Sequence, residues 1–134
     1  MRSRRPFGVT LISLFFVFGA VMSALAAVML LFPGTALDAL WRLNPTGHEG
    51  FVAMGEWSVL LMLIVCVTCA VAAIGLWRLA LWGYWMSLLI LCVNLLADLM
   101  NAFLLYDWRT LIGVPVGGVM IGYLMGHEKV FHKQ

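Results

Sequence analysis

Asp98 is the acid set deepest in apolar sequence. Nineteen uncharged residues precede it, from Leu79 to Ala97, and eight follow, up to Tyr106. Ser87, Leu91, Asn94, Asp98, Asn101 and Leu105 recur at intervals of four and three, so they share one face of a helix. A carboxylate flanked by two carboxamides can relay a proton or a cation, or orient the polar end of a ligand. The same groups can also tie helices together, at about 0.6–2 kcal/mol per hydrogen bond in a membrane. Ser23 and Thr68 stand at matching depth as candidate partners for Asp98. Three strongly polar side chains do not face lipid, so this stripe is expected to turn inward.

The other reactive residue types form weaker patterns. Cys66-Val67-Thr68-Cys69 is a C-x-x-C, a motif used by four-helix, quinone-linked thiol oxidoreductases of the vitamin K epoxide reductase type. In those enzymes it lies near the membrane surface. Here it falls in the middle of an apolar run, where surroundings suppress the reactive thiolate, and no loop carries a shuttle cysteine. Cys66, Cys69 and Cys92 read as small packing residues. Asp38, His48, Glu49 and Glu56 cluster in sequence, but their spacing matches no metal-ligand pattern. No His lies inside an apolar run, which excludes a haem held between helices by paired histidines. No phosphate-binding glycine loop, no Ser-His-Asp set and no pair of nearby acids is present, so no catalytic residue, metal or cofactor is implied.

Glycines are the other conspicuous set. Gly113 and Gly117 are four apart, as are Gly118, Gly122 and Gly126, and Gly19, Ser23 and Ala27 form a similar row near the N-terminus. Small-xxx-small spacing lets helix backbones approach closely in lipid. Pro115 leaves the carbonyl of Leu111 without a helical partner. A freed carbonyl near Asn101 and Asp98 could coordinate a cation, as in transporters with broken helices. The expected role of the glycines is packing against the first or third helix, or against a second copy.

The elements that must position these residues follow from composition. Of 134 residues, 64% are apolar and 10% charged, against about 45–50% and about 25% in an average soluble domain. Mean hydropathy is +1.04. A soluble globule of this size could not hide so much apolar surface, and disordered chains are poor in apolar residues. A net charge of +2 with no basic stripe argues against nucleic acid as a partner. The chain reads as an integral membrane protein whose partner is the lipid bilayer.

The fourteen charges divide the chain. Uncharged stretches of 32 residues (after Arg5), 21 (after Glu56) and 18 (from Thr110) stand beside the Asp98 run. A hydrocarbon core of about 30 Å needs roughly 20 helical residues. Helices are expected over about 8–32, 54–78, 83–106 and 110–128. The fold class is an all-α antiparallel bundle of four transmembrane helices, forming one domain over 1–134. Lys and Arg favour the cytoplasmic side. Arg2, Arg4, Arg5, Arg78, Lys129 and Lys133 fall on one side, and Arg42 and Arg109 on the other. Both termini are therefore expected to be cytoplasmic, and all six Trp fall at span ends, where aromatic belts form.

Two local features complete the reading. Arg2 to Arg5, an apolar stretch and Ser23-Ala24-Leu25-Ala26-Ala27 resemble a signal peptide. The apolar run continues through Phe32, so an uncleaved first span is expected. In the first outer loop, Pro33-Gly34 stops the helix, and Thr35 with Asp38 forms a capping-box-like start. A short interfacial helix over 35–43 is expected, with Asp38 and Arg42 on its polar side and Asn44-Pro45 ending it.

Several short motifs carry a family resemblance. Arg4-Arg5-Pro6-Phe7-Gly8-Val9-Thr10, Gly75-Leu76-Trp77-Arg78 followed by Trp82-Gly83, Asn94 to Asn101, and Leu111-Ile112-Gly113-Val114-Pro115 are similar to segments of a group of small four-helix bacterial inner-membrane proteins. The resemblance implies a four-helix inner-membrane protein and brings no catalytic residues. The residues themselves support three readings. The first is a non-enzymatic membrane protein packing with itself, as a homo-oligomer, or within a larger membrane complex. The second is a small transporter or lipophilic-ligand binder centred on Asp98, Asn94 and Asn101. The third is a membrane thiol-redox enzyme using Cys66 and Cys69.

Overall fold

The computed structural model describes residues 4–133. Arg2, which contributes to the charge bias above, lies outside the described residues. All regular structure among the described residues is helical. The order is α1 (Phe7–Leu31), a 3₁₀ segment (Ala36–Leu43), α2 (Pro45–Met54), α3 (Glu56–Trp77), α4 (Leu81–Leu104), a second 3₁₀ segment (Trp108–Ile112), α5 (Gly113–Gly126) and α6 (Glu128–Phe131). Four helices are long and apolar enough to cross a membrane: α1, α3, α4, and the second 3₁₀ segment together with α5. The all-α class and the four spans stand.

Three local expectations need correction. The segment over 35–43 is wound as 3₁₀ from Ala36 to Leu43, and Thr35 makes no side-chain cap. Leu37, Leu40 and Leu43 recur every three residues, which is the period that a 3₁₀ helix aligns. The Asp38 carboxylate reaches back to accept the Gly34 N–H at 2.6 Å, and Gly34 sits at a φ of 87°, where a side chain would be strained.

Asn44-Pro45 opens a helix as well as ending one. Asn44 accepts the Gly47 N–H through its side chain at 3.0 Å and so caps α2. Pro45 takes the first helical position, where its missing N–H costs nothing. Finally, the last span does not begin as an α-helix at 110. It starts at Gly113, which puts Pro115 inside the first turn rather than at a mid-helix break.

The chain forms two compact units, one of residues up to Phe16 with Val71 onward, the other of Val17–Ala70. The divisions fall inside α1 and inside α3.

In the first unit, the start of α1 and the end of α3 are joined by Ser13, whose buried hydroxyl donates to the Ala73 carbonyl at 3.0 Å. α3 and α4 meet backbone to backbone. A Cβ on Gly83 would run into the backbone of Gly75, and one on Gly75 into Gly83 Cα and the Trp82 ring. The turn between them is a Schellman motif: Ala80 N–H donates to Gly75 O at 2.9 Å, and Leu79 N–H to Leu76 O at 3.1 Å. Leu79 occupies the left-handed position usually given to glycine, at a φ of 57°, with its side chain buried.

The core of this unit includes Val9, Phe16, Leu76, Tyr84 and Leu124, closed at one end by Phe131 against Tyr84. At the same end, Arg5 lies 3.9 Å from the centre of the Trp77 ring. The start of α1, the 78–80 turn and α6 thus gather at one end of the unit, as antiparallel helices require.

In the second unit, the first 3₁₀ segment and α2 are joined by Trp41, which stacks on His48 with centroids 4.6 Å apart. Gly55, at a φ of 62°, turns the chain from α2 into α3, and the Ser58 hydroxyl donates to its carbonyl at 2.6 Å.

Candidate functional site

α4 carries the polar stripe, and α5 determines how far it is covered. Ser87 is fully buried and donates to the Gly83 carbonyl of its own helix at 2.7 Å. Eleven residues further along, Asp98 is half-buried, with Asn94 and Asn101 exposed on the surface of the chain. The stripe therefore turns inward at Ser87 and emerges towards Asn101, contrary to the expectation that all of it is enclosed. The cause lies across the interface. α5 packs along α4 through Gly113 and Gly117, which have no side chains to cover the carboxamides.

The space this leaves is a cleft of about 320 Å³, lined by Phe15 of α1, by Leu91, Asn94, Leu95 and Asp98 of α4, by Ile112 of the second 3₁₀ segment, and by Gly113, Val116, Gly117 and Met120 of α5. The Asp98 carboxylate lies directly over Gly113. Among the described residues it receives no hydrogen bond. The backbone beneath it is held firmly: the Thr110 hydroxyl lies 3.1 Å from the Asp98 carbonyl and 2.8 Å from the Asp107 carbonyl, fastening the second 3₁₀ segment to α4. The Asp107 side chain accepts the Arg109 N–H at the start of that segment. A rigid backbone thus presents an acid with free hydrogen-bonding capacity to a mostly apolar cleft.

The hydroxyls of Ser23 and Thr68 are engaged within their own helices. Ser23 donates to the Gly19 carbonyl at 2.7 Å, and Thr68 donates within its own helix to Ile64 and Val65. Hydroxyls in apolar helices routinely bond back to the carbonyl four residues earlier, because that acceptor is always within reach.

The glycines divide into three groups. A Cβ on Gly113 would collide with the Asp98 carboxylate, whereas one on Gly117 would rest at 3.6 Å from Leu95. A Cβ on Gly19 would meet Cys69 of α3, at 3.6 Å, rather than α5. Gly118, Gly122 and Gly126 have open space where a side chain would stand, so this row has no partner among the described residues. The backbone-to-backbone approach of Gly75 and Gly83 lies outside the rows the sequence suggested. Its signal was a pair of glycines on either side of a short turn.

Cys66, Cys69 and Cys92 are free thiols, and Cys69 is buried. Asp38, His48 and Glu56 line a separate cleft of about 510 Å³ in the second unit. Among the described residues, no three His, Cys, Asp or Glu gather as a metal site. Phe15, Ile112, Val116 and Met120 line the Asp98 cleft without having been singled out in the sequence, since apolar residues in an apolar span carry no distinguishing signal.

No protein-family model, curated protein or solved structure matches the chain.

Proposed function

We propose that this chain is a non-enzymatic, multi-pass protein of the bacterial inner membrane, with cytoplasmic termini, that holds a lipophilic ligand in the cleft at Asp98. One observation carries the reading: a carboxylate without a hydrogen-bond partner among the described residues faces a cleft of about 320 Å³. That volume lies within the range of ligand pockets, roughly 300–1,000 Å³, and its few polar groups amid apolar lining are the usual composition of one. A polar residue kept at such depth purely for packing would be expected to have its bonds made internally.

The test is native mass spectrometry of the full chain purified from membranes in mild detergent, alongside Gly117→Leu, whose side chain has room to enter the cleft. The wild type should retain a small apolar molecule that the variant loses. An empty wild type, or a Gly117→Leu protein carrying the same molecule, would reject the reading.

A second reading is favoured by the open row of Gly118, Gly122 and Gly126 on α5. Such a row allows close helix approach in lipid, and on this reading the chain packs against a second copy or within a larger membrane complex. Strictly monomeric protein in mild detergent, with no partner captured by crosslinking in native membranes, would retire it.

A further inference from the structure

The Asp98 cleft does not end at Met120. A second groove of about 550 Å³ continues from Phe15 and Met120, which line both, along α1 and α5 to Gly8 and Tyr123. Phe7, Leu11, Ile12 and Val119 complete its walls, so the lining is almost wholly apolar. At its far end, Tyr123 is already engaged, its hydroxyl oxygen accepting the Gly8 N–H at 3.2 Å. From Gly113 to Tyr123, α5 advances roughly 15 Å, the reach of an extended chain of roughly a dozen carbons. The combined space therefore runs along α5 and is mostly apolar, with one acid at one end.

The acid indicates what the other end of an occupant must be. α1, α3, α4 and α5 contain no Lys or Arg. Arg109, in the 3₁₀ segment that opens the fourth span, is exposed and forms no ion pair with Asp98 among the described residues, and charges removed from water are paired or neutralised. A ligand that brings its own cation satisfies the carboxylate and places its tail in the groove.

We propose that the continuous groove takes a single-chain amphiphile, with a protonated amine at Asp98 and an alkyl tail of about a dozen carbons lying between α1 and α5. This rests on the ligand-binding reading above and names the class of ligand.

The probes are radiolabelled dodecylamine and dodecanol, offered to the full chain in a steroid-based detergent whose rigid body cannot imitate an alkyl chain. Wild type should bind the amine about tenfold or more tighter than the alcohol, as expected of a hydrogen bond to a charged group. Asp98→Asn should abolish that preference, chiefly by weakening the binding of the amine. Met120→Trp, which obstructs the shared stretch, should weaken both, and circular dichroism verifies that each variant is folded. Equal affinity for the two probes in the wild type, or a preference that survives Asp98→Asn, overturns the amine assignment. If neither probe binds but the co-purified molecule is present in the wild type and lost in Gly117→Leu, this inference alone falls. If that molecule is absent as well, both readings fall.

Discussion

Asp98 Oδ2 occupies the space into which a side chain on Gly113 would grow. A single missing methyl group on α5 thus sets the position of the acid on α4. Gly113 has ordinary helical angles, with φ −65° and ψ −29°, so the requirement for glycine there is one of space and not of backbone conformation.

Gly113→Ala is accordingly expected to destabilise the protein, although Ala favours a helix over Gly by about 1 kcal/mol. In an Asp98→Ala background, the same substitution should become stabilising. Unfolding in detergent across the double-mutant cycle should give a coupling of about 0.5–3 kcal/mol. The same sign in both backgrounds would show that the two residues do not compete for space.

The α3–α4 contact leads to a contrast between glycines. Gly83→Ala forces backbone against backbone, and overpacking of this kind costs about 1–3 kcal/mol. Gly122→Ala enters open space and should be neutral, or stabilising by up to about 1 kcal/mol. Thermal unfolding of the two variants as monomers in detergent separates the outcomes, and equal effects would remove the distinction.

Leu79 reverses the usual order of substitutions. Replacement by Ala or Gly removes the same buried side chain, but only Gly relieves the left-handed backbone at this position. Leu79→Gly should therefore be less destabilising than Leu79→Ala, by roughly 1–2 kcal/mol. Chemical unfolding that ranks Ala as the milder change would contradict the Schellman geometry of the 78–80 turn.

Asn44 tests the helix that the sequence reading did not anticipate. Asn44→Ala removes the side-chain acceptor for the Gly47 N–H, a loss of about 0.5–2 kcal/mol for a helix cap. Amide exchange should quicken at Gly47 and His48, with that of α4 unchanged. Unaltered exchange at Gly47 would mean that the cap contributes nothing to α2.

The four spans were legible because charge is scarce and falls at their ends. Phe7–Leu31 and Glu56–Trp77 each lie within two residues of expectation at both ends. Shorter-range signals were ambiguous. The residue before Pro avoids the helical region, so Asn44-Pro45 signals a stop, but the same pair caps and opens the next helix.

The position of Asp98 in sequence marked it as distinctive, whereas its exposure could not be read from α4 alone. Coverage depended on α5, whose glycines left a cleft where larger residues would have closed it. The Gly75–Gly83 contact was hidden for a similar reason, since an approach across a turn has no helical period. The hydroxyls of Ser23, Thr68 and Ser87 bonded locally, so depth in the membrane did not identify their partners.

The winding of the last span bears on the lipid around it. The fourteen α-helical residues of α5 cover about 21 Å, short of a hydrocarbon core of about 30 Å. The five residues from Trp108 to Ile112 are wound as 3₁₀, which rises about 2.0 Å per residue and restores roughly 10 Å. The nineteen residues of this crossing thus extend about 31 Å, about 2.5 Å further than α-winding throughout would carry them. Thickness mismatch costs fractions of a kcal/mol per Å, and the joint between the two windings is Ile112–Gly113, directly beneath Asp98. Thinner or thicker lipid therefore acts first on the wall of the cleft.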